Sequence, residues 1–559
     1  VQSVSGAGST TIRGLTTGTN LPVVTFDTSE TSSAILDGFT IDNQASGTIS
    51  RGIYISGATP IIQNCIIEGN VPVNSTNGGG GIYIDNSAPT ISNTIIRKNT
   101  AINRNGGGIY ITGTNGGATI TNGSVIGGDS SAEENYCTYG GGIYMTGSTA
   151  GMLSITNSTV KYNRSALGGN GLYLNAITQT TTIIGSTISY NNTTNGHGGG
   201  IFVNSSPLSI TDSYIDYNST PTAKFGGGLY VTGANSTVSI DNTSFSSNSS
   251  GYGSGIYFTG STHATPLTIS NGSTISFNTN QYSGGGIWLG STTNTSTITD
   301  TTISSNTTSN GHGGGIYAAS PLTVTSSTIE SNSTNSAKEG GGIYANSTLN
   351  VINTLIRGNR AVYGAGVRYS TGTATITNST ITGNGADWQA YAKGGGISVA
   401  SGTMNIYNST ISGNYSTDDG GGLHGAATVK NSIIWGNTSG DANYHNLSTT
   451  ITAEYSNIGE SEYPGGTGNI NEDPDFVDYQ YATNGTRTTA GDFHLCKAEG
   501  DPAGCAAGSA SPSIDTAGTN NLPSDDIDGG TRPYDVPSMG NDGSNYYDMG
   551  SDEYGVAAP

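Results

Sequence analysis

Apolar residues fall in short bursts along this chain, two or three at a time, separated by clusters of Gly, Asn, Ser and Thr. The unit GGGIYI is followed by a segment such as PTIS or LSIT, and then by one such as STISGN. Aligning the Gly-rich tripeptide and its apolar pair gives fourteen starts: Ile53, Ile82, Ile109, Ile143, Leu172, Ile201, Leu229, Ile256, Ile287, Ile316, Ile343, Val367, Ile397 and Leu423. The mean step is about 28 residues. Each burst alternates with period two and is bounded by turn residues, so each unit predicts three short strands. Leucine-rich and ankyrin repeats share this period but need helical segments, and Gly, Asn and β-branched residues leave nothing here with helical spacing. What remains is an all-β solenoid of about 14 or more coils, whose strands pair in parallel about 4.8 Å apart; thirteen steps then span roughly 60 Å.

Asn marks the coil corners. One column closes the third strand at Asn70, Asn99, Asn163, Asn191, Asn218, Asn248, Asn278, Asn306, Asn332, Asn359, Asn384, Asn414 and Asn437. Another precedes that strand, at Asn64, Asn93, Asn122, Asn157, Asn242, Asn271, Asn353, Asn378, Asn408 and Asn431. Asn tolerates a left-handed corner, and its amide can bond the equivalent group one coil away, so both columns are expected to be structural. They also create N-x-S/T sequons, among them Asn157, Asn218, Asn306 and Asn378, which are candidates for glycosylation wherever they are exposed.

Composition alone would suggest disorder, with 88 Gly and 10% charged residues, but disorder has no reason to keep a period. The net charge of −21 is uneven: residues 451–559 hold 19 of the 38 acids, with only Arg487, Lys497 and Arg532 as bases. The chain therefore divides into 1–50 as opening coils, 51–450 as regular repeats, and 451–559 as acidic final coils and a cap. No basic track is present to follow a phosphate backbone, so nucleic acid is not an expected partner. Cys496 and Cys505 bracket a short loop, where a disulfide would imply an oxidising compartment. Cys65 takes a strand position that other coils fill with Ser or Thr, and is expected to be a small buried thiol. No apolar run reaches membrane-span length.

The GGGIY and I-x-x-N repeats resemble right-handed parallel β-helix proteins, and FSSN at Phe245 to Asn248 is similar to the FxxN of polymorphic outer-membrane proteins. VVTF at Val23 to Phe26 and AILDGFTI at Ala34 to Ile41 resemble the opening coils of bacterial surface β-helices. GTGNINEDPDFVD, GDFHL, SPSIDTAG, DIDGGTRP and YDMGSDEYG resemble the C-terminal region of choice-of-anchor β-helix proteins. The resemblance implies a right-handed parallel β-helix, exported to the extracellular side and displayed on a cell surface. It carries no agreed catalytic set. Such proteins usually have an earlier capping segment, whereas Val1 to Ile41 offers strand-like pieces without an amphipathic helix. An open first coil would call for a removed cap or a docked partner, with filaments as the extended case.

Other β-helices include polysaccharide lyases, which resemble one another in placing acidic Ca²⁺ ligands and a base on neighbouring coils. Down the outward third-strand column here, from Glu68 to Trp435, no two acids are adjacent; Glu330 and Arg357 predict an ion pair instead. His197 and His312 lie in equivalent loops four coils apart, too far to share a metal. Asp525, Asp526 and Asp528 are the candidate Ca²⁺ ligands, in the acidic tail. The largest surface feature is aromatic: Tyr54, Tyr83, Tyr110, Tyr144, Tyr173, Phe202, Tyr230, Tyr257, Trp288, Tyr317 and Tyr344 occupy one outward column, which then passes to Arg368, Ser398 and His424. It predicts either same-face stacking or a strip for sugar chains or a second subunit. The expected function is an extracellular structural or adhesive solenoid without cofactor, whose partners are itself or surface glycans; the alternative is a carbohydrate-active enzyme of polysaccharide-lyase type.

Overall fold

A computed structural model describes residues 1–559 except 15–20, 44–50, 73–77, 291, 336, 442–444, 449–450, 460–465, 479–491, 496–510, 512, 514–548 and 550–559. The strands form an all-β parallel solenoid, and the chain divides into two compact units: 1–280 with 291–294, and 281–290 with 295–559. Cys496, Cys505, Asp525, Asp526 and Asp528 lie outside the described residues.

In the first unit the coil beginning at Ile82 is typical. Strands Ile82–Asp85, Thr90–Ser92 and Ile95–Arg97 each pair in parallel with the corresponding strand of the next coil, so that Ile82 faces Ile109, Ile91 faces Ile120 and Ile96 faces Ile126. Alternation sends one side of each strand inward: Ile82, Ile84, Ile91 and Ile96 are all fully buried. The second unit repeats the pattern, with Ile316 opposite Ile343 and Ile329 opposite Ile356. A fourth, two-residue strand follows the ladder Asn in many coils and was not legible in the sequence. Thr100–Ala101 pairs with Tyr136–Tyr139 in the first unit, and Arg360–Ala361 with Gly385–Ala386 in the second.

The two Asn columns divide between them the roles that the sequence assigned to both. Residues of the column before the third strand, such as Asn64, Asn157 and Asn378, adopt φ of about +50° and supply the left-handed turn. The column after the strand does not. There the left-handed residue is the preceding one, variously Gly69, Tyr162, Ser247 or Gly358, and the Asn itself turns inward. Its amide binds the coils on both sides: Asn218 Nδ2 donates to Asn248 Oδ1 of the next coil at 3.2 Å and to Ile188 O of the preceding one at 2.8 Å. In the second unit Asn332 Nδ2 donates likewise to Asn359 Oδ1 at 3.0 Å. Asn135, in a longer coil where the spacing slips, completes the run between Asn99 and Asn163.

In this arrangement three of the four sequon positions lie inside the coil. Asn218, Asn306 and Asn378 are buried, and their amides already donate to Asn248, Asn332 and Asn353. A glycan on Nδ2 would break those bonds and needs space the coil does not offer. Asn157 alone of the four is exposed. The Gly tripeptides have an equally local cause. Gly340 adopts φ +68°, and a Cβ on Gly342 would come 2.7 Å from Gly366 O of the next coil. Cys65 and Cys137 are buried free thiols.

Candidate functional site

Strand pairing fixes the outward aromatic column. Tyr83 pairs in register with Tyr54 and Tyr110, so their rings are set one coil apart, close to the distance at which two rings stack. In the first unit Tyr54, Tyr83, Tyr110, Tyr144, Tyr173 and Phe202 form a nearly parallel stack with centroids 4.4–5.6 Å apart. At Tyr230 the order turns, its ring meeting Phe202 at 63°, and His197 and Phe225 add a second layer over Tyr230 and Tyr257. In the second unit Trp288, Tyr317 and Tyr344 stack at 5.8 and 5.1 Å.

Although the column points away from the core, it covers itself. Tyr83 is only 4% exposed, and Tyr144, Phe202 and Tyr257 are buried. Burial pushes the Tyr83 hydroxyl up to about 12, and raises Tyr173 and Tyr257 as well. An interior ring has a neighbouring ring on each face, so the column can offer a ligand only edges and hydroxyls. Stacking is therefore the contact that the geometry makes; a flat platform for sugar is not formed along most of its length.

Where the column loses its rings, charge replaces them. Arg368, Ser398 and His424 continue the same register after Tyr344. Arg368 Nε lies 3.2 Å from Glu339, and its Nη1 donates to Ser398 Oγ at 2.6 Å. Lys393 bridges Asp419 at 3.0 Å and Asp418 at 3.3 Å, and the Asp419 contact raises its pKa. His424 Nε2 is 3.7 Å from Asp419 Oδ1, while burial holds the imidazole below its ordinary range. Asp419 Oδ1 and His424 Nδ1 are both buried without a hydrogen-bond partner. His312 Nδ1 accepts the Glu339 N–H at 3.3 Å, and burial lowers the pKa of the ring.

Several titratable groups meet here, and their sign in the sequence is the break in the aromatic column. They come from two columns, the outward strand position and the residue before the Gly tripeptide, which run separately in sequence and meet in the fold. Elsewhere charges pair across coils: Arg357 meets Glu330 at 2.7 Å, the pair expected from the sequence, and Arg97 meets Glu68 at 2.9 Å. Among the described residues no group of three His, Cys, Asp or Glu could hold a metal ion, and no helix is long and apolar enough to cross a membrane.

No curated protein matches the chain. The family described as "Right handed beta helix region" matches residues 26–125 and 227–414, more than half of the 559. Parallel register, inward Ile columns and an internal Asn ladder fit such a coil, and with that match the chain belongs to the right-handed β-helix family.

Proposed function

We propose that this protein is an extracellular, surface-displayed structural or adhesive scaffold, with self-association or surface glycans as its partnerships. One observation carries the reading: the outward side chains satisfy one another along the coils. Ring faces stack on ring faces, and Arg97, Arg357 and Lys393 each pair with an acid of a neighbouring coil. Such a surface suits a scaffold that must keep its form, since each outward group adds to coil cohesion. Protease shaving of intact source cells tests the location. Release of peptides from this chain before cell lysis is expected; recovery only after lysis would overturn the extracellular reading. Electron micrographs of native material then separate filaments or lattices from single particles.

A second reading, a carbohydrate-active enzyme, is favoured by the unpartnered Asp419 Oδ1 and His424 Nδ1 within the charged cluster. Incubating the chain with a panel of uronic-acid and neutral polysaccharides, with Ca²⁺ supplied, decides between them. Chain cleavage that is lost in Asp419→Asn and His424→Ala would establish the enzyme; unchanged polymer length supports the scaffold.

A further inference from the structure

A second aromatic run lies on a different face of the first unit, at the corner that ends the third strand. Tyr162, Tyr190 and Tyr217 stack at 4.9 and 5.0 Å with planes within 5°. All three adopt φ of 50–55°, as does Phe277 at the same corner two coils beyond Tyr217. Apart from Lys98, the described equivalents include Gly and Ser, as at Gly69 and Ser247, so a bulky residue in this conformation is unfavourable unless something compensates. Nor is burial the compensation: Tyr190, Tyr217 and Phe277 are 39%, 52% and 61% exposed.

The coil between Tyr217 and Phe277 carries Ser247. Asp216, Ser246 and Ser276 are in register, so Tyr217, Ser247 and Phe277 occupy equivalent corners with the same backbone. Two coil steps separate the aromatic residues by about 9.6 Å. A planar guest in carbon contact with a ring on either side fills roughly 7–8 Å; a puckered pyranose chair with its axial hydrogens is thicker and takes up the difference. At the base of the gap are the hydroxyls of Ser246 and Ser247, 3.3 Å apart, and the Asp216 carboxylate, which accepts the Ser246 N–H. At the other end of the same three strands is a concave pocket of about 320 Å³, lined in part by Asp212, Tyr214, Asn242, Ser244 and Thr274. Tyr214 is 58% exposed.

We infer that Tyr217 and Phe277 form the walls of a binding slot for one pyranose unit of a neutral glycan, with Ser246, Ser247 and Asp216 at its base. The glycan continues across the outer face of the strands toward the Tyr214 pocket. The chemistry matches on both counts: C–H faces of the sugar meet the aromatic walls, and its rim hydroxyls meet serine and carboxylate oxygens. An aromatic peptide side chain would leave those oxygens unpaired. The site is separate from the long tyrosine column and the charged cluster. It gives the adhesive reading a ligand class, yet it stands or falls without altering where the protein resides.

The test uses the full chain and hexasaccharides of glucose, mannose, galactose and N-acetylglucosamine, with binding read by saturation-transfer NMR. At least one hexasaccharide is expected to bind. Phe277→Ser is expected to weaken it about tenfold or more, the effect of one lost ring contact. Ser247→Tyr is the variant that guards against misfolding, because it extends the existing Tyr162, Tyr190 and Tyr217 stack into the gap. It is expected to keep or raise the melting temperature while abolishing binding. Absence of binding by all four hexasaccharides, or full binding by a folded Ser247→Tyr chain, would overturn the slot. Protease shaving of cells would be unaffected, so failure here is distinguishable from failure of the surface reading.

Discussion

Two stretches of one outward column solve the same problem differently. From Tyr54 to Phe202 in the first unit, rings stack face on face and bury one another. In the second unit, Arg368, Ser398 and His424 occupy that position; Arg368 joins Glu339 to Ser398, and His424 meets Asp419, which also pairs with Lys393. The inward residues hardly change between them, with Ile109 and Ile397 both fully buried. Coil geometry therefore depends on the inside; the outward position can take either chemistry so long as neighbours one coil apart are compatible. The ring stack gains with each ring added, whereas the charged stretch loses solvation as it gains ion pairs.

Breaking the shared interior should erase the distinction. Ile256→Asp or Ile397→Asp would bury an unpaired charge between coils, at a cost of several kcal/mol, and is expected to abolish folding as read by circular dichroism. Wild-type melting in either variant would refute the inward assignment. Next in size is the ladder. Asn332→Ala removes bonds to Asn359 Oδ1 and Ile303 O and leaves neighbouring polar groups unsatisfied. About 3 kcal/mol is expected from chemical denaturation.

The outward column itself gives the sharper contrast. Tyr110→Ala deletes a ring stacked on both faces and is expected to destabilise by about 2 kcal/mol. Replacing both partners, Arg368→Met with Glu339→Met, should change stability by less than about 1 kcal/mol, since the lost pairing is offset by lower desolvation. Equal losses for the two would show that the charged stretch is as cohesive as the stacked one.

The smallest effects are pH-dependent and opposite in sign. Burial, with Lys224 nearby, holds His197 down to about 4, and its Nδ1 accepts the Phe225 N–H. Its folded pKa lies below the unfolded one, so its contribution is complete above about 6.5 and is lost as pH falls toward 4. His197→Phe should flatten the melting profile over that window. Burial instead raises Asp216 to about 6. The folded state then favours the protonated acid, giving stability that is present below about 4 and lost as pH rises to 6. Asp216→Asn should therefore melt higher than the parent at pH 7, and a lower melting point would contradict the burial of the carboxylate.

Much of the fold was legible because a β-helix writes each structural demand once per coil. Ile82, Tyr83 and Asn99 recur in homologous places, and period-two alternation fixes which of them point inward. The corner before the ladder Asn was not legible. Lys98, Tyr162, Ser247, Phe277 and Gly358 share one backbone conformation but no residue type, so they form no visible column. The charged cluster escaped for a related reason, since Glu339 and Lys393 lie in one column and Arg368 and His424 in another.

By itself the sequence determined the coil period, the strand pattern, the inward Ile columns and the two lines of Asn. Those follow from local conformational preference and alternation, which repetition makes redundant. Only the tertiary structure decided that one Asn line turns the backbone while the other bonds coil to coil. It alone showed that outward tyrosines bury one another, and that Tyr217 and Phe277 stand two coils apart over a serine. These depend on distances between residues about thirty positions apart, and such distances are set by the pairing of coils rather than by any local preference of the chain.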